Sequence, residues 1–364
     1  MPVVTLSHEV KRTPRVLQLS GLFDLPPTER QEQTWNLDLD LTRPWNVGLV
    51  VGPSGSGKST VARALWSSSI RDEHSFTWPA DESVVDAFPK AMAISDITEL
   101  LSSVGFSSPP AWLRPFRLLS NGERFRVLLA RMLAEPGDLV VCDEFTSVVD
   151  RTVAQVGSSA VARTVRNRKL KFIAVTCHED VEDWLQPDWV LRMPTGEFAR
   201  RSLRRRPDVD LKVVRCAGAA WECFRHHHYL DHDLNPSAIC FLALWHNRPC
   251  AFSAWLPLLA KGGGRREHRT VCLPDYQGVG IGNALSAWCA SLWKALGHRA
   301  TSTTSHPGMI QARNRSPLWA LTRKPTIGTN RSHNGIKHAF LRATASFEYV
   351  GPPLDPLLAR RMLS

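Results

Sequence analysis

Gly52-Pro53-Ser54-Gly55-Ser56-Gly57-Lys58-Ser59-Thr60 fits G-x-x-x-x-G-K-[ST] at every fixed position. The flanks give the pattern its meaning. Val47 to Val51, interrupted only by Gly48, is a short apolar run that reads as a buried strand, and Val61 to Trp66 reads as the start of a helix. Strand, glycine loop and helix together make a phosphate site. Backbone N–H groups of Gly52, Ser54, Gly55 and Gly57 can curl around a phosphate, and the helix N-terminus adds partial positive charge. Lys58 is placed to reach the β- and γ-phosphates of a nucleotide, and Ser59, followed by Thr60, to ligate Mg²⁺.

On the amino-terminal side, Leu17 to Leu41 reads as early strands, and Phe23 or Trp35 could stack on an adenine. On the other side, apolar residues at helical spacing (Ile94, Ile97, Leu100, Leu101, Val104) predict a helix that ends before Ser107-Ser108-Pro109-Pro110. Leu119-Ser120-Asn121-Gly122-Glu123-Arg124 then leads into a helix over Phe125 to Leu133. Ser120 and Gly122 open that helix, where a hydroxyl and N–H groups can take a phosphate. Leu139 to Cys142 is an apolar strand ending in Asp143 and Glu144, with Ser147-Val148-Val149-Asp150 close behind. Asp143 can hold the Mg²⁺ shell and Glu144 can polarise an attacking water. Phe172 to Thr176 is another buried strand, ending at Cys177-His178.

In this order the motifs resemble those of an ABC-type ATPase domain, over roughly residues 15 to 198. Leu119 to Glu123 resembles the LSGGQ signature, with Asn121 and Glu123 as departures. Leu139 to Glu144 resembles the Walker B strand, Ser147 to Asp150 the D-loop, and His178 the switch histidine. The resemblance implies binding and hydrolysis of ATP with Mg²⁺. It also implies that His178 contacts the γ-phosphate, and that Ser120 and Gly122 act on the nucleotide of a second subunit in an ATP-dependent homodimer. No glutamine lies between Thr60 and Ser120, so the family's glutamine loop is absent or replaced, with Asp86 as a candidate stand-in. That departure, and a chain without an apolar run long enough to cross a membrane, argue for a soluble ABC ATPase. A transporter's ATPase subunit, working with a separate membrane partner, is the alternative.

The basic stretch Arg200-Arg201-Ser202-Leu203-Arg204-Arg205-Arg206-Pro207 reads as a linker. It divides an ATP-binding domain, 1–206, from a second domain, 207–364. The second domain predicts a strand at Leu211 to Arg215, a helix at Ala219 to Leu230, and a hairpin of Ile239 to Trp245 with Pro249 to Leu256. A strand at Arg269 to Leu273 runs into Gln277-Gly278-Val279-Gly280-Ile281-Gly282, followed by a helix over Asn283 to Leu296 and strands at Thr301 to Ser305 and Ala343 to Val350. This half resembles the GNAT acyltransferase fold. Gln277-x-x-Gly280-x-Gly282 matches the family's Q/R-x-x-G-x-G/A loop, whose bare N–H groups bind the pyrophosphate of acetyl-CoA or another acyl-CoA. The fold class expected is α/β, a P-loop ABC ATPase domain followed by an α+β GNAT-like domain.

Glu267 and His268 stand near where such an enzyme often keeps its base. The tyrosine many of its members use after the next strand is missing, since the only tyrosines are Tyr229, Tyr276 and Tyr349. His228-Tyr229, with Ser305-His306, resembles the phage Mom-type relatives that modify adenine in DNA, and imidazole with phenolate can also ligate iron.

Charge is consistent with a polyanionic partner. Net charge is +11, with 22 Lys and Arg against 25 acids in residues 1–200 and 23 against 9 in residues 201–364. The whole basic excess belongs to the second half, including Arg313, Arg315, Arg323, Lys324, Arg331 and Lys337, and a nucleic-acid face is a reasonable reading. Eight cysteines without C-x-x-C spacing suit free thiols in a reducing, cytoplasmic setting. Two readings of the whole chain follow. One is an ATP-gated enzyme that transfers an acyl group or modifies a base on nucleic acid; the other is an ATP-switched nucleic-acid-binding module whose GNAT fold is inactive.

Overall fold

The computed structural model describes residues 3–23, 30–135, 137–200, 209–228, 232–258, 263–327 and 343–363. The chain opens with strands β1 (Val3–Glu9) and β2 (Arg30–Asn36), paired antiparallel, with helix α1 (Pro14–Leu22) between them. The stretch from Leu17, expected as strand, is therefore helical up to Leu22. Its start explains why: the Thr13 hydroxyl accepts from Val16 N at 3.3 Å and Pro14 takes the first helical position. Then come β3 (Val47–Val51), α2 (Lys58–Trp66) and the short β4 (Ile70–Arg71). Three helices follow, α3 (Ile94–Ser103), α4 (Pro109–Trp112) and α5 (Asn121–Leu133). After β5 (Leu139–Cys142) the order is α6 (Arg151–Arg168), β6 (Lys171–Thr176), α7 (Val181–Leu185), β7 (Trp189–Arg192) and β8 (Glu197–Arg200).

The remainder alternates differently. An antiparallel run, β9 (Lys212–Cys216), β10 (Ile239–Trp245), β11 (Arg248–Pro257) and β12 (Arg265–Cys272), precedes helix α8 (Ile281–Ala295). Then follow β13 (Ala300–Thr304), α9 (Pro307–Arg315), β14 (Trp319–Ile327), β15 (Ala343–Tyr349) and α10 (Pro356–Leu363). The hairpin of β10 and β11 turns at His246 and Asn247, both with positive φ, as a tight hairpin turn requires. The helix expected over Ala219 to Leu230 is instead two 3₁₀ turns, Gly218–Cys223 and Arg225–His227. Trp221 and Phe224 are three residues apart and both pack against Phe252; a three-residue turn places such a pair on one side.

The chain forms two compact units. The first comprises Met1–Ser75, Pro136–Ser147 and Val165–Arg206. Its sheet has the order β4-β5-β6-β3-β7-β8, parallel except for the β7–β8 pair. All five residues of β3 are buried, which is why that strand reads as an unbroken apolar run. Trp45, Val50, Val175, Trp189 and Leu191 are part of its core.

The second unit comprises Phe76–Glu135, Val148–Thr164 and Pro207–Ser364. Its sheet has the order β14-β15-β13-β12-β11-β10-β9, with one parallel pair, β12–β13, among the described residues. Helix α8 connects those two strands and buries Leu285, Cys289, Leu292 and Trp293 in a core shared with Phe241, Trp255 and Phe347. The unit boundaries do not coincide with a division at residue 206. Hydrogen bonds show what holds these pieces of the second unit together. Ser107 N, after α3, donates to Gln277 Oε1 at 2.7 Å, and Thr164 Oγ1 of α6 donates to Ser103 O of α3 at 3.0 Å. His306 Nδ1 accepts from Met309 N, which leaves the proton on Nε2 to donate to Ser107 O at 3.0 Å. Gly278, at φ 98, lies so close to Gly105 that an added Cβ would stand 2.5 Å from its Cα.

Candidate functional site

Strand β6 lies between β5 and β3, and all three run parallel. Their carboxyl ends therefore bring Asp143-Glu144, His178 and the glycine loop to one edge of the sheet, where open α/β sheets bind ligands. The loop closes on α2 through Gly57, the helix N-cap, at φ 88. A Cβ there would stand 2.2 Å from the Trp35 ring, so only glycine fits. This contact also settles Trp35. It is 4 % exposed beneath the loop, within the core, and does not present a face for an adenine. Phe23, at the end of α1, is 68 % exposed.

Lys58 is buried along its stem, and its Nζ donates to Pro53 O at 2.6 Å, which folds the ammonium over the loop. Ser59 Oγ donates to Asp143 Oδ1 at 2.9 Å. A hydroxyl and a carboxylate that meet at the start of α2 form a hard oxygen pair of the kind Mg²⁺ takes, and these residues fit the ion. Among the described residues no group of three or more His, Cys, Asp or Glu could hold a metal by itself. The same Asp143 oxygen accepts from Glu144 N at 3.0 Å, and Arg63 stands 3.7 Å from Asp143 Oδ2. Arg63 is a neighbour the sequence reading missed; it follows the glycine motif with no signal of its own.

Glu144 is exposed and sits at φ 52, in the left-handed region. Thr146, two residues on, is at φ 67. Side chains rarely adopt this conformation, and it costs about 1–3 kcal/mol where it is held. Phe145 N donates to Val175 O at 2.8 Å and pins the turn to β6, so the carboxylate projects from the strand end. His178 follows β6 and is half-buried, its N–H given to Thr176 Oγ1 at 3.2 Å.

Ser120 is the N-cap of α5 and forms a reciprocal cap with Glu123. Glu123 N donates to Ser120 Oγ at 3.3 Å, and Ser120 N donates to Glu123 Oε2 at 2.8 Å. The departure from glutamine thus puts a carboxylate on the helix N-terminus. Gly122 faces Val153 and Arg126. Arg126, 1 % exposed, donates from Nη2 to Asp275 O at 3.0 Å, and burial lowers its pKa against the pull of Asp275.

The second glycine loop divides in two. Gln277 is buried, with Nε2 given to Cys272 O at 2.8 Å and Oε1 taken by Ser107, and Gly278 is closed off by Gly105. Gly280, the N-cap of α8 at φ 93, has open space where a Cβ would be, and Gly282 has only the Cys272 Cβ at 3.6 Å. His228 is buried with its ring edge-on to Trp221 at 5.7 Å, while Tyr229 lies outside the described residues. Glu267 does not stand free as a base. Its carboxylate is 6 % exposed, paired with Arg313 at 2.8 Å and bonded by Ser302 and Thr270. Burial alone would raise its pKa; Arg313 and the two hydroxyls outweigh that and hold it below the ordinary carboxylate value. Arg313 therefore leaves the proposed basic face, and Arg331 and Lys337 lie outside the described residues. Arg266, Arg315, Arg323 and Lys324 are exposed. All eight cysteines are free, and burial pushes Cys142 and Cys216 up to about 12, so neither is a ready nucleophile.

No protein-family model matches the chain. Protein STAR1 of Oryza sativa subsp. japonica is 30% identical over 192 residues, 44% of this chain and 55% of that protein. An aliphatic sulfonates import ATP-binding protein of Nocardia farcinica is 30% identical over 183 residues, 45% of this chain and 74% of that protein. The chain spans about half the length of the first curated relatives it matches. Among solved structures, a dimeric ATP-binding cassette in a post-hydrolysis state, bound to ADP and Pi, aligns at TM-score 0.39 and 14% identity, over 56% of this chain and 100% of that one. No described helix is long and apolar enough to cross a membrane.

Proposed function

This chain belongs, through its amino-terminal region, to the ABC-type ATP-binding proteins, and on that premise we propose that it binds and hydrolyses ATP and closes an ATP-dependent homodimer. The observation that carries the reading is the 2.9 Å bond between Ser59 and Asp143, which joins the phosphate loop to the acidic strand end. Gly52, Ser54, Gly55, Gly57 and Thr60 wrap the phosphates, and Lys58 turns from Pro53 to the γ-phosphate. Ser59 and Asp143 would hold Mg²⁺, which neutralises charge on the β- and γ-phosphates. Glu144 orients the attacking water and His178 contacts the γ-phosphate. Ser120 and Gly122 meet the nucleotide of the second subunit.

Residues 207–364 form a GNAT-like output domain that faces nucleic acid. Support comes from the mixed sheet with its single parallel pair on either side of α8, from the glycine loop, and from exposed Arg266, Arg315, Arg323 and Lys324. A nucleotide held at Ser120 acts on this domain because α5 and the Gln277 loop belong to one unit, tied by Arg126 to Asp275 and Ser107 to Gln277. Of the two readings of that output, the binding module is favoured over acyl transfer by one observation: Glu267, the candidate base, is engaged on both oxygens. ATP turnover and DNA or RNA retention by the full chain, with and without ATP, test the proposal. ATP-independent retention, or none, removes the switch.

A further inference from the structure

We infer that the buried pair Glu267–Arg313 shuts the carboxy-terminal domain to an acyl-CoA donor, an inference that rests on the GNAT-like reading above. On that reading a donor is anchored by its pyrophosphate at the start of α8 and sends its acyl arm between the elements that flank the loop. These are β12 and α8 on the near side, and β13 and α9 beyond. The two strands pair only through Arg265 with Ala300 and Arg266 with Thr301, and no pairing follows toward the loop.

Arg313 occupies this space. It rises from α9 and is 1 % exposed. Its Nη2 donates to Glu267 Oε2 of β12 and to Ser286 Oγ of α8, each at 2.8 Å, and its Nη1 donates to Ser302 Oγ of β13. All four bounding elements are thereby tied together by one side chain. The guanidinium lies 4.4 Å from the Trp319 ring centroid and 5.9 Å from that of Phe347, so aromatic rings of β14 and β15 pack against it as well. Protein interiors are close-packed, and a slot filled in this way holds no second chain of atoms. Displacing one partner alone would leave the other charge buried and unpaired, which makes spontaneous opening rare.

The near side of the loop is occupied too. Gln277 spends both ends of its amide on Ser107 and Cys272, and Gly278 abuts Gly105. Gly280, the N-cap of α8, has open space where a Cβ would be, but the slot behind it is the one that Arg313 fills. The residues therefore do not fit acetyl-CoA, and the ion pair determines that exclusion.

The test titrates the full-length chain with acetyl-CoA by calorimetry, in wild type and in the double variant Glu267→Gln with Arg313→Ala. The glutamine keeps partners for Ser302 and Thr270, and no charge is left alone. Thermal melting and ATP binding report whether the variant folds. Wild type is expected not to bind at millimolar acetyl-CoA, and the double variant to bind at least about tenfold more tightly. Micromolar binding by wild type would overturn the inference while upholding the GNAT-like reading. Failure of a folded double variant to bind would overturn both. Hydrogen exchange of β12 and β13 in wild type needs no variant: protection by acetyl-CoA refutes the exclusion, and its absence supports it.

Discussion

Glu123→Gln isolates one charge at the helix that is proposed to meet a partner's nucleotide. The carboxylate sits 2.8 Å from Ser120 N, on a donor that a phosphate would use. Glutamine serves equally well in a reciprocal cap, so the substitution removes the charge and keeps the geometry. A phosphate seated on the neighbouring N–H groups of that turn stands about 5 Å from the carboxylate, and unit charges at that distance repel by about 1–3 kcal/mol at an effective dielectric of about 20–80. Screening by salt favours the lower part of that range. A homodimer closes two such contacts, so about 1–2 kcal/mol at each should tighten dimer closure by roughly thirty- to seven-hundredfold, at about 1.4 kcal/mol per factor of ten. Analytical ultracentrifugation with ATP reads this directly, in a Glu144→Gln background that retains the nucleotide. The gain should shrink as salt rises. An unchanged dimer constant at low salt would refute the reasoning, whereas no dimer in either protein would refute the proposed dimer itself.

Lys58→Ala should weaken ATP by about 2–5 kcal/mol, since the phosphates lose their main cation; titration with a fluorescent ATP analogue checks this, and retained affinity would remove Lys58 from the site. Glu144→Gln should keep ATP binding and slow turnover by roughly 10²–10⁴-fold; equal phosphate release in both proteins counts against Glu144. Gly278→Ala forces a Cβ to 2.5 Å from Gly105 Cα at a positive φ, and should cost the second unit about 1–3 kcal/mol in urea unfolding. An unshifted transition would show that the loop yields. Burial lowers the pKa of His306 below its ordinary 6.5, so the neutral ring is the form the fold favours. Its contribution is fully present above that value and is lost as pH falls below it. The near-UV signal of Trp112, 6.1 Å from His306, should change only as pH falls below the ordinary histidine value, and His306→Asn should abolish the change.

The nucleotide edge was legible because its chemistry sits in contiguous motifs. Gly57, Lys58 and Ser59 are neighbours in sequence, and Asp143-Glu144 ends a strand whose apolar run is unmistakable. The hairpin of β10 and β11 and helix α8 were readable for the same reason, by period and turn residues. Trp35 shows the limit: an aromatic before the loop looks like an adenine platform until packing places it under Gly57. Arg313 and Glu267 are 46 residues apart and read as a surface cation and a free carboxylate. Pairing across the sheet reverses both, and no local pattern announces it. Gly105, Ser107 and Arg126 were silent because two of them act through backbone atoms and the third through a partner 149 residues away.

The second unit is assembled from pieces that leave the ribosome far apart. Arg126 and Ser107 emerge well before Asp275 and Gln277, to which they bond. At about 5–20 residues per second, the face bearing Gly105 and Arg126 stays uncovered for roughly ten to thirty seconds of synthesis. Over that interval a nascent chain carries the signature helix without the loop that clasps it. A chain truncated before residue 272 keeps this exposure permanently. Its amino-terminal ATP motifs would be intact in sequence, yet it would behave as a client of chaperones.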